Sequence, residues 1–244
     1  TLDDVLAHLA FLQSKIEAYD NSEVIRENFG KREKELLSRL TAACARLSAA
    51  RKKAGKALAK QIGSELKKLG FKRSDFEVVV MDAAPGADGA DRIEFMFTAN
   101  PGVPLMPLRE VASSGELSRV MLAAKTVLAE ADSIPILIFD EIDSGISGRT
   151  AQMVSEKMNV LGRSHQIICI THLPQIAAMA DSHYLIRKSV QNQTTVSTIR
   201  RLSEEESIQE LSRMLGGVEI TETVKESARE MRALAKSKKS GFEK

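Results

Sequence analysis

Leu2, Val5, Leu9, Leu12, Ile16 and Tyr19 recur at alternating steps of three and four residues. That spacing lays one narrow apolar seam along a helix, the signature of a coiled-coil strand. Asp20-Asn21-Ser22 interrupts the seam and Gly30 weakens the stretch after it. Leu36, Leu40, Ala43, Leu47, Ala50, Ala54 and Ala57 then take it up again. Beyond Leu58 the steps change to Ile62, Leu66 and Leu69, nearer the period of a helix lying on a globular body. An ordinary helical bundle also places apolar residues at such steps, but alanine at so many seam positions leaves little core without a close partner. The pattern predicts residues 1–69 as one arm of an antiparallel coiled coil whose other helix lies outside this sequence. Gly70 is its C-terminal stop.

After Gly70 the pattern shortens. Residues 76–81 and 93–98 predict two strands joined by a Gly/Asp/Ala-rich turn over 85–91, and Asn100-Pro101-Gly102 a further turn. Ser113-Ser114-Gly115-Glu116 precedes a strong helical pattern from Leu117 to about Ala131. Residues 136–139 form an unbroken apolar run, short and rich in β-branched residues. It predicts a strand buried on both faces, as in the parallel sheet of an α/β protein. A helix over about 150–161, a strand over 166–170 and a short helix ending near Ala180 come next. Two closing strands (183–187 and 194–200) and two helices (about 204–215 and 219–235) complete the order, and the Lys/Ser-rich tail 236–244 is predicted to fray. The fold class is therefore α/β with an N-terminal helical arm, and no internal repeat is visible.

Composition narrows this only a little. The 244 residues carry 35 Lys and Arg against 33 Asp and Glu, so no global field marks a polyanion partner. Aromatic content of 4% with no Trp suits long helices better than a β-sandwich. Cys44 and Cys169 fall in a helix-like and a strand-like stretch, and nothing in their spacing pairs them, so a reduced cytosolic setting is expected. No secretory signal and no apolar run of membrane length appear. The sequence opens on Thr1 inside a heptad pattern, which predicts a piece of a longer chain.

Asp140 and Glu141 come directly after the apolar run with no spacer. A buried strand that ends in adjacent acids places them at the carboxyl edge of the sheet, where open α/β folds bind ligands. Successive strand residues point to opposite sides, so the two acids can divide the work. One can hold Mg²⁺, which takes one or two carboxylates with phosphate and water oxygens. The other can orient and deprotonate an attacking water. Acids after strands also simply begin surface loops, so this pattern alone does not decide. Ser113 with Glu116 three residues on is a capping box, and small residues at a helix N-terminus equally suit an anion. His8, His165, His172 and His183 offer no metal-ligand spacing with the cysteines. No Gly-x-x-x-x-Gly-Lys-Ser/Thr occurs; Gly55-Lys56 sits in the arm and lacks both the partner glycine and the hydroxyl residue. No Ser-His-Asp, zinc or Rossmann pattern competes. Arg51, Lys52, Lys53, Lys56, Lys60, Lys67, Lys68, Lys72 and Arg73 cluster where the arm ends. Such a cluster can track a phosphate backbone without reading sequence, and is equally an ordinary solvated helix face.

Taken in order, Ser113–Glu116 at a helix start, Asp140-Glu141 after a strand, Asp143 just beyond and His172 after the next strand resemble the C-terminal half of an ABC-type ATPase head. The arm places the resemblance with the SMC-like branch rather than with transporters. Gly86-Ala87-Asp88-Gly89-Ala90-Asp91-Arg92-Ile93-Glu94-Phe95, Asn100-Pro101-Gly102, and residues 111–119, 139–148 and 171–176 are more closely similar to the RecN family of bacterial DNA repair proteins. The likeness is dense from about Asp75 to Gly217 and looser over the arm.

This resemblance implies the C-terminal lobe of an ABC/SMC-type P-loop ATPase head over 70–235, with ATP and Mg²⁺ as cofactors. Ser113, Ser114, Gly115 and Glu116 match the signature loop, which grips the γ-phosphate of ATP held by the opposing head. The family's usual Ser-Gly-Gly appears here as Ser113-Ser114-Gly115, and the added Cβ restricts close approach. Asp140 matches the Walker B aspartate that supports Mg²⁺, and Glu141 the catalytic base. Asp143, with Ser144 and Gly145, matches the loop that crosses the dimer interface. His172 matches the switch histidine that senses the γ-phosphate. The implied partners are the Walker A half of the same protein, without which this chain is expected to be inactive, a second copy through ATP-sandwiched heads, and duplex DNA or its ends, held without sequence specificity. The implied setting is the bacterial cytoplasm, at the nucleoid and away from membranes, in recombinational repair of double-strand breaks. Alternatives are another SMC-like chromosome-organising ATPase, a transporter nucleotide-binding subunit, and a non-catalytic coiled-coil tether with decayed motifs.

Overall fold

No proline occurs before Pro85. In the computed structural model of this chain one helix, α1 (Leu2–Lys68), runs unbroken through Asp20-Asn21-Ser22 and Gly30. The interruption expected of the seam is thus no interruption of the helix, because each such residue costs only about 1 kcal/mol or less in a helix interior. Asp3 and Asp4 sit in its first turn and Lys67 and Lys68 in its last, each favourable to the helix dipole. Gly70, at φ +98°, ends it as expected: the Phe71 N–H turns back to the Leu66 carbonyl at 3.1 Å, closing a Schellman-type stop. The structure describes residues 1–111, 113–129, 131, 133–191, 194–217 and 219–241.

Strands β1 (Asp75–Gly86), β2 (Gly89–Thr98) and β3 (Met106–Pro107) form a sheet in that order, with Met96 opposite Pro107 in the antiparallel β2–β3 pair. The first two strands run much closer together than the turn expected over 85–91. Small residues, which broke the apolar alternation, continue the strands, and Gly89 at φ +103° makes the turn.

The chain divides into two compact units, Thr1–Ala54 with Val80–Ile93, and Gly55–Val79 with Glu94–Lys244. In the first, the hairpin tip lies against the helix. A Cβ on Gly89 would come within 2.7 Å of Leu47 Cδ2. Asp91, its side chain only 1% exposed, accepts hydrogen bonds from Ser48 Oγ at 2.7 Å and Arg51 Nη1 at 3.1 Å. The rest of this unit leaves its seam uncovered: Leu2, Val5, Leu9, Leu12, Ile16, Tyr19, Leu36 and Leu40 are all exposed. A peptide of residues 1–69 should therefore be helical only when concentrated, since isolated amphipathic helices are held by packing. Circular dichroism showing full helicity in a dilute monomer would contradict this.

The second unit holds the core. Ile62 and Leu66 at the end of α1, with Leu69 and Phe71 just beyond it, pack with Phe97 of β2. They pack also with α2 (Ser114–Leu128), β4 (Ile136–Phe139), α3 (Gly148–Leu161) and β5 (Gln166–Cys169), through Val120, Leu122, Leu137, Phe139, Val154 and Leu161. Each fully buried side chain of this kind contributes about 1.5–3 kcal/mol. β4 and β5 are parallel, Ile136 opposite Gln166 through Phe139 opposite Cys169. The expectation that β4 is buried on both faces is corrected: Leu137 and Phe139 point into the core, but Ile136 and Ile138 are exposed, as are Ile168 and Ile170 on the same side. An unbroken apolar run reports two faces that need cover, and in this chain helices cover one.

Beyond β5 come α4 (Pro174–Ala177), the antiparallel hairpin β6 (Tyr184–Gln191) and β7 (Thr194–Arg201), then α5 (Glu204–Gly216) and α6 (Glu222–Gly241). α5 opens on a complete capping box, Ser203 with Glu206. Residues 236–241, expected to fray, continue α6, and residues 242–244 lie outside the described ones. Lys238 bonds Glu156 and Lys239 bonds Asp181. The buried Arg232 gives Nη1 to the carbonyls of Ala178 at 2.6 Å and Ala180 at 2.8 Å, and Nε to Glu204 at 3.2 Å. α6 is thereby fastened to the end of α4 and the start of α5.

Candidate functional site

The parallel register of β4 and β5 sets the site, because it brings the residues after Phe139 beside those after Cys169. The Ile170 N–H donates to the Phe139 carbonyl at 3.0 Å, so the chains leave the sheet together. Asp140 and Glu141 emerge from β4, both exposed. Glu141 takes φ +55°, the only non-glycine residue at positive φ among the described residues. That conformation is uncommon for a bulky side chain. It reverses the chain into a tight turn in which the Ser144 N–H donates to the Glu141 carbonyl at 2.9 Å.

Helix α2 points its N-terminus at this turn. Ser113 is its N-cap, accepting from the Glu116 N–H at 3.4 Å, and Ser114 is its first residue. Ser114 Oγ donates to the Glu141 carboxylate, and Ser118 Oγ donates to the Asp140 carbonyl at 2.9 Å. Gly115 is buried where helix and turn meet: a Cβ there would lie 2.8 Å from Ser144 Cβ and 2.9 Å from the Ser144 carbonyl. The expected signature residues and the expected acids are thus one assembly.

Asp143 is turned inward, 2% exposed. Its carboxylate accepts from Thr171 Oγ1 and from the His172 N–H at 2.8 Å, with His172 Nδ1 at 3.1 Å. The His172 side chain itself is 73% exposed and open to a group from outside. Of the loop expected to cross a dimer interface, Ser144 and Gly145 are what remain on the surface. Asp143 itself faces inward, where it bonds the Thr171 hydroxyl and the His172 backbone amide.

Two participants were not anticipated from the sequence. Arg119, buried on α2, donates Nη1 to the carbonyls of Ile142 at 3.2 Å and Ser144 at 2.8 Å and lies over the Phe71 ring. Burial pulls its pKa down from the usual arginine value, opposed by the nearby Glu116. An arginine among Val120, Leu122 and Ala123 in a helix is the signal that could have found it. Thr171 is the other, donating to Asp143 and accepting from the Leu173 N–H at 3.0 Å. Cys169 lies beneath the acids; burial first, then Asp143 and Asp140, push its thiol up to about 12, so it stays neutral.

Among the described residues no cluster of three or more His, Cys, Asp or Glu could hold a metal by itself. A single exposed carboxylate at Asp140 fits Mg²⁺ that brings its own phosphate and water oxygens. Of the basic residues near the arm's end, Arg51 is engaged with Asp91, Lys52 lies 4.0 Å from Asp82, and Lys68 lies 2.5 Å from Glu65. No helix among the described residues is long and apolar enough to cross a membrane.

The chain is similar to two curated DNA repair proteins named RecN. It is 41% identical over 198 residues to that of Halalkalibacterium halodurans, which covers 79% of this chain and 35% of that protein. It is 35% identical over 247 residues to that of Bacillus subtilis, covering 95% of this chain and 43% of that protein. The chain therefore spans less than half the length of these relatives. No protein-family model matches it. Among solved structures it resembles the Smc head domain of Pyrococcus furiosus with an extended coiled coil, bound there to the C-terminal domain of ScpA. The TM-score is 0.51 at 19% identity, over 79% of this chain and 46% of that one. The shared fold is an SMC-type α/β head with coiled coil.

Proposed function

The chain belongs to the RecN family over the part of those proteins that it spans, and from that premise we propose that it supplies the signature-loop and Walker B half of an SMC-like ATPase head acting in DNA double-strand break repair. One observation carries this reading. The α2 N-terminus, the Asp140-Glu141 pair and the His172 turn are gathered at the carboxyl ends of β4 and β5 and tied by the Ser114–Glu141, Ser118–Asp140 and Asp143–His172 contacts. Asp140 would hold Mg²⁺ together with nucleotide phosphate, and the metal would neutralise phosphate charge. Glu141 would take the proton of the attacking water at its carboxylate. His172, its amide held by Asp143 and its side chain exposed, would present its imidazole to the γ-phosphate. Ser113–Glu116 would meet the nucleotide of a second head, so that ATP clamps two heads and hydrolysis releases them. The cycle would gate how duplex DNA or its ends are held. The lysines at 56, 60 and 67, spaced along a helix, suit a phosphate backbone read without sequence.

The exposed face of Ile136, Ile138, Ile168 and Ile170 supports the half-head part of the reading, since an apolar face of this kind marks an interaction surface. The chain alone should accordingly bind Mg-ATP weakly and hydrolyse none above background. Joining it to the half that carries the Gly-x-x-x-x-Gly-Lys-Ser/Thr loop should restore both. Micromolar ATP affinity for this chain by itself, measured by calorimetry, would sink the half-site idea.

A further inference from the structure

Ser114 has one hydroxyl proton, and here it goes to the Glu141 carboxylate. The same hydroxyl stands on the first residue of α2, beside the N-cap Ser113, where helix N–H groups would receive a phosphate. One proton cannot serve both acceptors. We infer, on the reading of Glu141 as the base and of 113–116 as the loop that meets the opposing head's nucleotide, that Ser114 is a positioning residue. It holds Glu141 on its own chain until that loop meets phosphate, and so makes the base at one nucleotide answer to engagement at the other.

Three features of the turn fit this role. Glu141 sits at φ +55°, a conformation that persists only while its surroundings over-determine it, and the Ser114 bond is one of the restraints. A Cβ on Gly115 would lie 2.9 and 3.0 Å from the Ser144 and Glu141 carbonyls, so the helix start and the turn approach closely beside Ser114 and Glu141. Both side chains are also exposed, so an arriving phosphate can compete for the hydroxyl without opening the core. Glycine or alanine at position 114 would supply no such proton.

The test uses the complete two-part head carrying Ser114→Ala, Ser114→Thr or Glu141→Gln. Without nucleotide, hydrogen exchange of the Ser144 amide, which donates to the Glu141 carbonyl, should rise about tenfold in Ser114→Ala, the size of one hydrogen bond to a charged group. Ser114→Thr, which keeps the donor, should exchange as the wild type does. With ATP, wild-type turnover should depend sigmoidally on concentration. Ser114→Ala should lose the sigmoid and gain turnover at low ATP relative to its own turnover at saturation. Unchanged exchange in Ser114→Ala overturns the restraint whatever turnover does, and loosened exchange with the sigmoid intact overturns the coupling between nucleotides. Glu141→Gln that keeps its turnover instead removes the reading of Glu141 as base, and the exchange data tell the two failures apart.

Discussion

Glu141→Gln in the complete head should abolish nearly all ATP turnover while leaving nucleotide binding and head dimerisation intact or increased. Gln matches Glu in size and can hold a water by hydrogen bonding, but it cannot accept the proton. The loss of a positioned base is worth roughly 10²–10⁴ in rate. Its neighbour should fail differently. Asp140 is the carboxylate that fits Mg²⁺ carried by phosphate, so Asp140→Asn should lower nucleotide-dependent dimerisation along with turnover. The two acids are adjacent and both exposed, yet the Ser114 hydroxyl reaches only the Glu141 carboxylate, while Ser118 holds the Asp140 backbone. Small-angle scattering or crosslinking with ATP, run on both variants beside turnover, reads the difference. Should Glu141→Gln dimerise no better than wild type, or keep most of its activity, the base lies elsewhere.

Range decides how much of the fold is legible in the sequence. The seam from Leu2 to Ala57, the stop at Gly70 and the acids closing the apolar run are local patterns, and α1, its Schellman stop and the end of β4 conform to them. Burial of β4 is not legible in the same way, because a run of apolar residues says which faces want cover, not whether this chain covers them. Nor is the order of the tail, because Lys and Ser carry no periodic signal, whereas Arg232, Lys238 and Lys239 hold α6 through contacts 52 to 82 residues away. The site divides along the same line. Asp140, Glu141 and His172 could be singled out by position after strands. The links that assemble them, Ser114 to Glu141 across 27 residues and Asp143 to the His172 amide across 29, depend on the β4–β5 register and on a glutamate at positive φ. Neither is written in spacing.

Gly115→Ala should destabilise the chain by about 1–3 kcal/mol, the usual size of overpacking, whereas Gly63→Ala, the same change in another helix, should stabilise it by roughly 0.5–1 kcal/mol. Gly63 lies in α1 with nothing within 4 Å of a would-be Cβ, so alanine brings only its helix propensity. At Gly115 the new methyl would meet Ser144 Cβ at 2.8 Å, the Ser144 carbonyl at 2.9 Å and the Glu141 carbonyl at 3.0 Å. These atoms cannot step aside cheaply. The Ser144 carbonyl already accepts from the buried Arg119 at 2.8 Å, and the Glu141 carbonyl from the Ser144 N–H at 2.9 Å. The start of α2 must therefore move away from the turn, taking Ser114 off Glu141 and loosening Ser118 on Asp140. Gly115→Ala in the complete head should then lose ATP-dependent dimerisation as well as turnover, while Gly63→Ala keeps both. Urea unfolding of the two variants beside the wild type gives opposite shifts of the midpoint if the helix start and the acid turn are packed as described. Equal shifts of one sign would mean that Gly115 has room, and that the close approach joining the signature residues to Asp140 and Glu141 does not exist.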